Sequence, residues 1–229
     1  MEEIGEGIHV VSVDLPLGFS ANVMVVVDEE PAVVDCGPLD CAFDLLDRVE
    51  GIVPWERILF LAVTSARPEH LSGIEKFLAA LPNVRVLALD HPALRERLKV
   101  VAVGRPVWPL KDGDFVSLGR RRLGFFHLPL PGAPEMAGVF VEPEGVLYSS
   151  DLGASLEPFG AGEPSEEGLR RAIEELGGSG EGVGPFEEAV RKALRLRPLA
   201  LVPGHGPICR SSPEGRLRAW LKVARKFRG

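Results

Sequence analysis

The chain has 229 residues, 45% of them apolar, so it can bury the core of one large α/β domain or of two small ones. Its formal net charge of −7 argues against nucleic acid as a partner, because phosphates are bound by clustered Lys and Arg. The longest apolar run, Ile58–Val63, is far shorter than the ~20 residues of a membrane span, and the acidic start of the chain is untypical of a secretory signal. We therefore predict a cytoplasmic protein that binds neither nucleic acid nor membrane.

The first half of the chain alternates strand-like and helix-like segments. Runs rich in β-branched residues predict strands, and apolar residues spaced three and four apart predict helices. The predicted elements are strands at Ile8–Val13, Asn22–Val27 and Ala32–Val34, a helix at Leu39–Val49, a strand at Arg57–Val63, a helix with Ser72 as N-cap that reaches Leu81, and a strand at Val84–Leu89.

The second half repeats the pattern. Its predicted elements are strands at Phe115–Leu118, Leu123–Leu128, Val139–Glu142 and Val146–Ser149, a helix at Pro185–Leu194, a strand at Leu199–Val202 and a helix at Pro213–Phe227. The basic stretch Arg120–Arg122 is expected to be a solvated turn. The stretch Gly160–Gly184 is rich in Gly, Pro, Ser and Glu, which predicts a surface loop or lid with a short helix inside. No linker separates the halves, so we predict one α/β domain over residues 1–229, with two sheets face to face and helices outside.

Three polar segments follow apolar strands. They are Thr64–His70, Ser149–Asp151 and Pro203–Pro207, and loops at strand ends can converge on one site. Each segment alone also has a structural interpretation. A histidine after a strand can be a hydrogen-bonded structural residue, an aspartate there can cap a turn, and a Gly-rich turn can simply need the backbone freedom of glycine.

Together with Asp35, these segments resemble the motifs of the metallo-β-lactamase superfamily in order and spacing, from about Ile8 to Arg210. The most similar form is the lactamase-like domain of flavodiiron proteins. Its first motif reads His-x-Glu-Pro-Asp-His-x-Gly, and the stretch Arg67–Gly73 matches the Pro, the His and the Gly, with one extra residue before the Gly. The resemblance implies a four-layer αββα sandwich.

The same resemblance implies a metal site that has lost about half of its ligands. Two positions that serve the first metal fall on Ser65 and Arg67, and a third falls on Pro131 or Ala133 according to register; none of these is a metal ligand here. The set for the second metal is retained as Glu69, His70, Asp151 and His205, with Asp35 orienting a ligand from behind. We therefore expect one divalent metal at most, Zn²⁺, Mn²⁺ or Fe²⁺, and no flavin.

Two hypotheses for function follow. In the first, a single metal held by His70, Asp151 and His205, with Glu69 assisting, activates water to hydrolyse an ester, thioester, amide or phosphoester, and Arg67 stabilises the developing oxyanion. In the second, Arg67 forms ion pairs with Asp151 and Glu69, and the cleft binds a small molecule or a protein partner without catalysis. Reduction of oxygen or nitric oxide is disfavoured, because it needs two irons and a flavin domain.

Other properties are less constrained by the sequence. The substrate or ligand is unidentified, and the oligomeric state is open, although edge strands are compatible with a homodimer. The three cysteines, Cys36, Cys41 and Cys209, are too few for a disulfide scaffold, and we predict free thiols. A chain with no Gln, two Asn and 20 Pro is typical of a thermophile.

Overall fold

The computed structural model describes residues 1–16, 18–176 and 184–226. Its first sheet has seven strands that lie in chain order. They are β1 (Glu2–Gly5), β2 (Ile8–Asp14), β3 (Ser20–Val26), β4 (Ala32–Val34), β5 (Phe60–Val63), β6 (Arg85–Leu89) and β7 (Val107–Leu110). Strands β1 to β4 pair antiparallel, and β4 to β7 pair parallel.

The second sheet has five strands in the order β12-β11-β10-β9-β8. They are β8 (Phe115–Ser117), β9 (Arg122–His127), β10 (Ala137–Glu142), β11 (Val146–Ser150) and β12 (Ala200–Pro203). All neighbours pair antiparallel except β11 and β12, which are parallel. Because β11 and β12 run the same way, the loops that follow them leave the same edge of the sheet.

Seven α-helices complete the described part of the fold. They are α1 (Ala42–Glu50), α2 (Pro68–Leu71), α3 (Ile74–Ala80), α4 (Pro92–Val101), α5 (Glu166–Glu175), α6 (Gly184–Arg195) and α7 (Pro213–Arg225), with short 3-10 helices at Leu39–Cys41 and Trp55–Arg57. Helices α1, α3 and α4 cover the outer face of the first sheet, and α5, α6 and α7 cover that of the second. The predicted αββα sandwich is confirmed. Among the described helices there is none with the length and apolarity that crossing a membrane requires.

Three apolar clusters hold these layers together. Strand β3 illustrates the arrangement, since all of its residues are buried. Met24 and Val26 point into the layer between the sheets, whereas Val23 and Val25 point toward the helices outside. Alternate residues of a strand face opposite sides, so a strand covered on both sides needs apolar residues throughout. This explains why the buried strands read as continuous apolar runs rather than as alternating ones.

Several local predictions need correction. Ser72 does not cap a helix that reaches Leu81; its hydroxyl donates to the Pro68 carbonyl at 2.6 Å and accepts from the Leu39 amide at 2.9 Å. The helix that follows begins one residue after Gly73.

The sequence analysis also missed β1, α4 and β7, which have few buried residues to produce a periodic pattern. The expected surface stretch Gly160–Gly184 does contain a helix, α5, but residues 177–183 and Phe227 lie outside the described residues.

The expectation of a solvated turn at Arg120–Arg122 is wrong for its central residue. The side chain of Arg121 is only 4% exposed. Its guanidinium donates to a Glu144 carboxylate oxygen at 2.6 Å and to the carbonyls of Glu6 (2.6 Å) and Val27 (3.1 Å). The buried carboxylate of Asp28 accepts from the Arg121 amide at 2.7 Å. Arg121 therefore ties the turn before β9 to the first sheet.

Replacing Arg121 by Ala should destabilise the fold, because Asp28 and Glu144 would lose the buried cation that they face. Loss of one partner of a buried ion pair costs about 3–5 kcal/mol, which we expect as a lower midpoint of urea unfolding. Arg120→Ala is the matched control, since the neighbouring side chain is 68% exposed. Its effect should stay within about 1 kcal/mol. Equal midpoints for the two variants would contradict the structural role of Arg121.

Candidate metal centre

The three polar segments converge at one edge of the sandwich. His70 lies on α2 after β5, Asp151 follows β11, and His205 follows β12. The imidazole rings of His70 and His205 are 5.2 Å apart between centroids. One potential ligand atom from each of the three residues lies within 4.8 Å of the others, and all three residues are buried. The predicted convergence of these residues is confirmed; metal binding by them stays a prediction.

His70 lies between two carboxylates. Its Nδ1 is 2.7 Å from Asp35 Oδ2, and its Nε2 is 2.9 Å from Asp151 Oδ1. Burial lowers the pKa of His70, but the charges of Asp151 and Asp35 and their hydrogen bonds raise it more, so that the pKa lies well above its ordinary value. In the metal-free chain His70 is therefore an imidazolium that donates to both carboxylates. Asp35 holds Nδ1–H, which leaves Nε2 as the nitrogen that a metal would take.

Asp35 is itself fixed by several donors. Thr64 donates to both of its carboxylate oxygens, from the amide at 2.8 Å and from the hydroxyl at 2.6 Å, and the hydroxyl of Tyr148 lies 3.0 Å from Oδ2. Asp35 has a φ of 63° and Ser150 a φ of 53°, in the left-handed region that residues with a Cβ rarely adopt. Such backbone strain persists where the surroundings over-determine a conformation, as they do around Asp35.

His205 presents its other nitrogen to the same point. Its Nδ1 lies 2.9 Å from the Ser20 carbonyl, which defines Nδ1 as the donor. Its Nε2 lies 3.6 Å from Asp151 Oδ1. Burial and the positive charge of His70 lower the pKa of His205. A neutral imidazole with a free Nε2 lone pair is the form that binds metals.

Asp151 has one oxygen without a hydrogen-bond partner. Its Oδ1 accepts from His70, whereas its Oδ2 is buried and receives no hydrogen bond. Burial raises the pKa of Asp151, but His70, His205 and Arg67 lower it by more than burial raises it, so the carboxyl group is ionised. A buried, unpartnered carboxylate oxygen is costly in a metal-free protein and is satisfied by a cation. Two imidazoles and one carboxylate are the ligand types that mononuclear non-haem iron proteins use, so the residues present fit one metal ion.

Arg67 lies beside this group, as predicted. Its Nε donates to Glu69 Oε1, and the same nitrogen is 3.6 Å from Asp151 Oδ2. Burial lowers the pKa of Arg67, but Asp151 and Glu69 raise it above its ordinary value. Glu69 lies outside the three-residue group, and its carboxylate is engaged by Arg67. Its expected part in metal binding therefore stays a prediction, as for the other three residues.

The positions expected for a first metal hold no suitable donors. Ser65 is buried, and its hydroxyl bonds to Glu135 Oε1 at 3.0 Å. Pro131 and Ala133 lie in the turn closed by hydrogen bonds between Leu130 and Ala133. Sequence reasoning did not find Glu135, a buried carboxylate that no motif marks; a lone acidic residue before an apolar strand gave no signal. The residues present do not fit a dinuclear centre.

A pocket of about 360 Å³ opens onto the candidate ligands. Asp151 and His205 line it together with Arg67 and Glu69, and its other lining residues are Phe19, Ala154, Leu156, Arg171, Ala172, Glu174, Glu175 and Leu176. The ring of Phe19 meets that of His205 edge to face, with centroids 5.5 Å apart. The pocket therefore gives a small molecule access to Nε2 of His205 and to the carboxylate of Asp151.

No protein-family model matches the chain. A type A flavoprotein of Rhodobacter capsulatus is 28% identical over 200 residues, which are 82% of this chain and 45% of that protein. A rubredoxin-oxygen oxidoreductase of Megalodesulfovibrio gigas is 23% identical over 211 residues, 87% of this chain and 51% of that protein. The chain thus spans about half the length of the curated relatives that it matches.

Solved structures agree with these relatives. The flavodiiron protein from Giardia intestinalis superposes with a TM-score of 0.85 at 16% identity, over 98% of this chain and 59% of that chain. The resemblance to the metallo-β-lactamase superfamily, and within it to the lactamase-like domain of flavodiiron proteins, is confirmed. None of these three names describes a hydrolase, so they lend no support to the hydrolase hypothesis.

Gly204 offers a test of how tightly His70 is packed. A Cβ added at Gly204 would lie 2.5 Å from His70 Cε1, and the ring cannot yield, because carboxylates hold both of its nitrogens. We expect Gly204→Ala to cost about 1–3 kcal/mol of unfolding free energy, measured in urea. At Gly160 an added Cβ meets nothing within 4 Å. Gly160→Ala should change stability by less than about 0.5 kcal/mol. If Gly204→Ala is equally neutral, the His70 ring is not held as described.

Proposed function

We propose that this chain is a mononuclear metal-binding domain in which His70, Asp151 and His205 hold one divalent ion and Arg67 takes the charge position of the lost first metal. The observation that carries the proposal is the buried group of three ligand atoms with an unpartnered oxygen on Asp151. When bound, such an ion supplies Lewis acidity and open coordination positions for a small ligand. Glu69 serves Arg67 rather than the metal.

The charges of the site support this assignment. Arg67 and Glu69 neutralise each other through their direct hydrogen bond. Asp151 then remains the one anionic ligand, so a divalent ion with two neutral imidazoles and Asp151 carries about +1, which the Asp35 carboxylate behind His70 offsets. Arg67 also offers Asp151 Oδ2 a cation at 3.6 Å on the side away from His70. Asp151 would thus face two cations, the bound ion and Arg67.

Iron is the ion we propose first. A donor set of two imidazoles and one carboxylate suits Fe²⁺, and the structural relatives are named flavodiiron proteins. Zinc, considered from the sequence, would compete for the same ligands. The reductase activities named for longer relatives are not proposed for this chain, because its residues do not fit two metals.

The residues of the chain itself would bind and orient rather than transfer protons. Asp35 holds the His70 ring in one orientation through Nδ1. The Ser20 carbonyl does the same for His205. The guanidinium of Arg67 is occupied by Glu69, which weakens it as an oxyanion donor. We therefore propose that the pocket binds a small molecule at the metal and that hydrolysis is at most weak.

Metal stoichiometry tests the proposal directly. Protein purified without an affinity tag and then saturated with Fe²⁺ under anaerobic conditions should contain one ion per chain by elemental analysis. His205→Ala and Asp151→Asn should each reduce that content sharply, because each removes one of three ligands. His91→Ala, a histidine at the start of α4, is the matched control and should bind like the wild type. Two tightly held ions, or none, would contradict a mononuclear site.

Arg67 variants test its role as a substitute for the first metal. Removing the cation should raise the affinity for Fe²⁺ or Zn²⁺ by about tenfold, because a unit charge near the ion repels it. In the metal-free chain, Arg67→Ala should cost about 1–3 kcal/mol, between the values for exposed and buried pairs, since its side chain is 22% exposed. Thermal unfolding with and without metal measures both effects.

Arg95→Ala is the control for general loss of an ion pair, since Arg95 pairs with Asp90 on an exposed surface. It should leave metal affinity unchanged. The double variant Ser65→His with Arg67→His should bind more metal than the wild type, because it restores two imidazoles and removes the cation. If the wild type binds as tightly as every Arg67 variant, Arg67 does not occupy the place of a metal.

A further inference from the structure

Glu135 is a buried carboxylate beside the candidate metal centre that the proposed function does not use. It lies in the turn between β9 and β10 and is 4% exposed. An ionised group at such a position is costly unless donors meet it. Its Oε1 accepts from the Ser65 hydroxyl at 3.0 Å and from the Ala66 amide at 2.9 Å. Both donors belong to the loop that follows β5, just before Arg67.

These bonds join two loops that are distant in the sequence. The amide of Ala137 also donates to the Thr64 carbonyl at 2.8 Å, so three hydrogen bonds connect the turn 130–137 with the loop 64–67. The Ser65 hydroxyl also accepts a hydrogen bond from the Arg67 amide at 3.2 Å, so the same hydroxyl contacts both Glu135 and the backbone of Arg67. The backbone of Arg67 is thus held through Ser65 by Glu135.

The connection lies where a first metal would have joined the same two loops. The three lost ligand positions fall on Ser65 and Arg67 in one loop and on Pro131 or Ala133 in the other. A metal bound there would have fixed the loops to each other by coordination. The hydrogen bonds of Glu135 join the same two loops by charge-assisted bonds instead.

We propose that Glu135 is a positioning residue that replaces the structural part of the lost first metal, and that it acts through Arg67. The proposal rests on the proposed function. A first metal ion would both join the two loops and place a positive charge beside Asp151. In this chain Glu135 joins the loops, and Arg67 supplies the positive charge. Glu135 touches none of the three candidate ligands in the described contacts. Its effect on them passes through the position of the Arg67 guanidinium.

Gly132 indicates how closely the turn approaches that guanidinium. A Cβ added there would lie 3.3 Å from Arg67 Nη1 and 2.6 Å from the Leu176 carbonyl. The turn therefore leaves no room for a side chain at Gly132, and Arg67 Nη1 lies 3.5 Å from the Glu175 carbonyl at the end of α5. Movement of the turn would displace Arg67, whereas His70 would stay in place, because Asp35 and Gly204 hold it independently.

A double-mutant cycle tests the proposal. Glu135→Ala should raise the affinity for Fe²⁺ by about the same factor as Arg67→Ala, roughly tenfold, because it lets Arg67 leave Asp151. The double variant should match the Arg67→Ala single variant, since Glu135 has nothing left to position. Glu135→Gln keeps an oxygen for Ser65 and Ala66 and should restore the wild-type affinity. Glu144→Ala, which removes a carboxylate paired with Arg121 elsewhere, should leave the affinity unchanged.

Unfolding of the metal-free variants gives a second measurement that does not depend on the proposed function. The stability losses of Glu135→Ala and Arg67→Ala should be less than additive in the double variant. If no variant binds metal, the proposed function fails, and this cycle still decides the role of Glu135. Strict additivity in stability, or an affinity change from Glu135→Ala that persists without Arg67, would overturn the proposal.

Discussion

The site depends on one buried line of charge that runs from Asp35 through His70 to Asp151. Asp35 follows β4 of the first sheet, and Asp151 follows β11 of the second, so the imidazole joins the two halves of the sandwich at their common edge. Charges buried away from water are stable only when a group of opposite charge or a hydrogen-bond donor lies beside them. Here His70 lies between the two carboxylates. Thr64 and Tyr148 hold Asp35 in a strained backbone conformation.

The line of Asp35, His70 and Asp151 carries one more negative charge than positive, and the neighbouring residues compensate part of it. Two carboxylates face one imidazolium, and the second oxygen of Asp151 has no donor. Arg67 is a second cation beside Asp151, with its Nε 3.6 Å from that oxygen, which is longer than a hydrogen bond because Glu69 holds the same nitrogen. The charges of the site are therefore only partly compensated in the metal-free chain, and the proposed metal binding rests on this imbalance.

The core of the fold does not depend on the candidate metal centre. The three apolar clusters lie between and outside the sheets, and strands such as β3 are covered on both faces without any contribution from a metal. Substitutions at Ser65, Arg67 and the turn before β10 alter only the rim of the sandwich. There, the Glu135 carboxylate accepts hydrogen bonds from Ser65 and Ala66 and so joins the two loops. This is consistent with a shared fold at only 16% identity to a flavodiiron protein.

The sequence by itself determined the order of the buried strands, because apolar runs are local properties of the chain. The sandwich and the convergence of His70, Asp151 and His205 followed from the resemblance of its motifs, in order and spacing, to a known superfamily. The sequence also indicated that Arg67 would meet Asp151 or Glu69. Only the tertiary structure decided that Glu69 serves Arg67, that Arg121 is buried, and that Glu135 reaches Ser65. Each of these findings depends on which side chains meet in the folded protein. Arg121 and Glu135 meet partners from distant segments of the chain. Even the pairing of the close neighbours Arg67 and Glu69 depends on where the surrounding charges lie. A charged residue carries no signal in its own segment of whether water or a distant opposite charge will surround it.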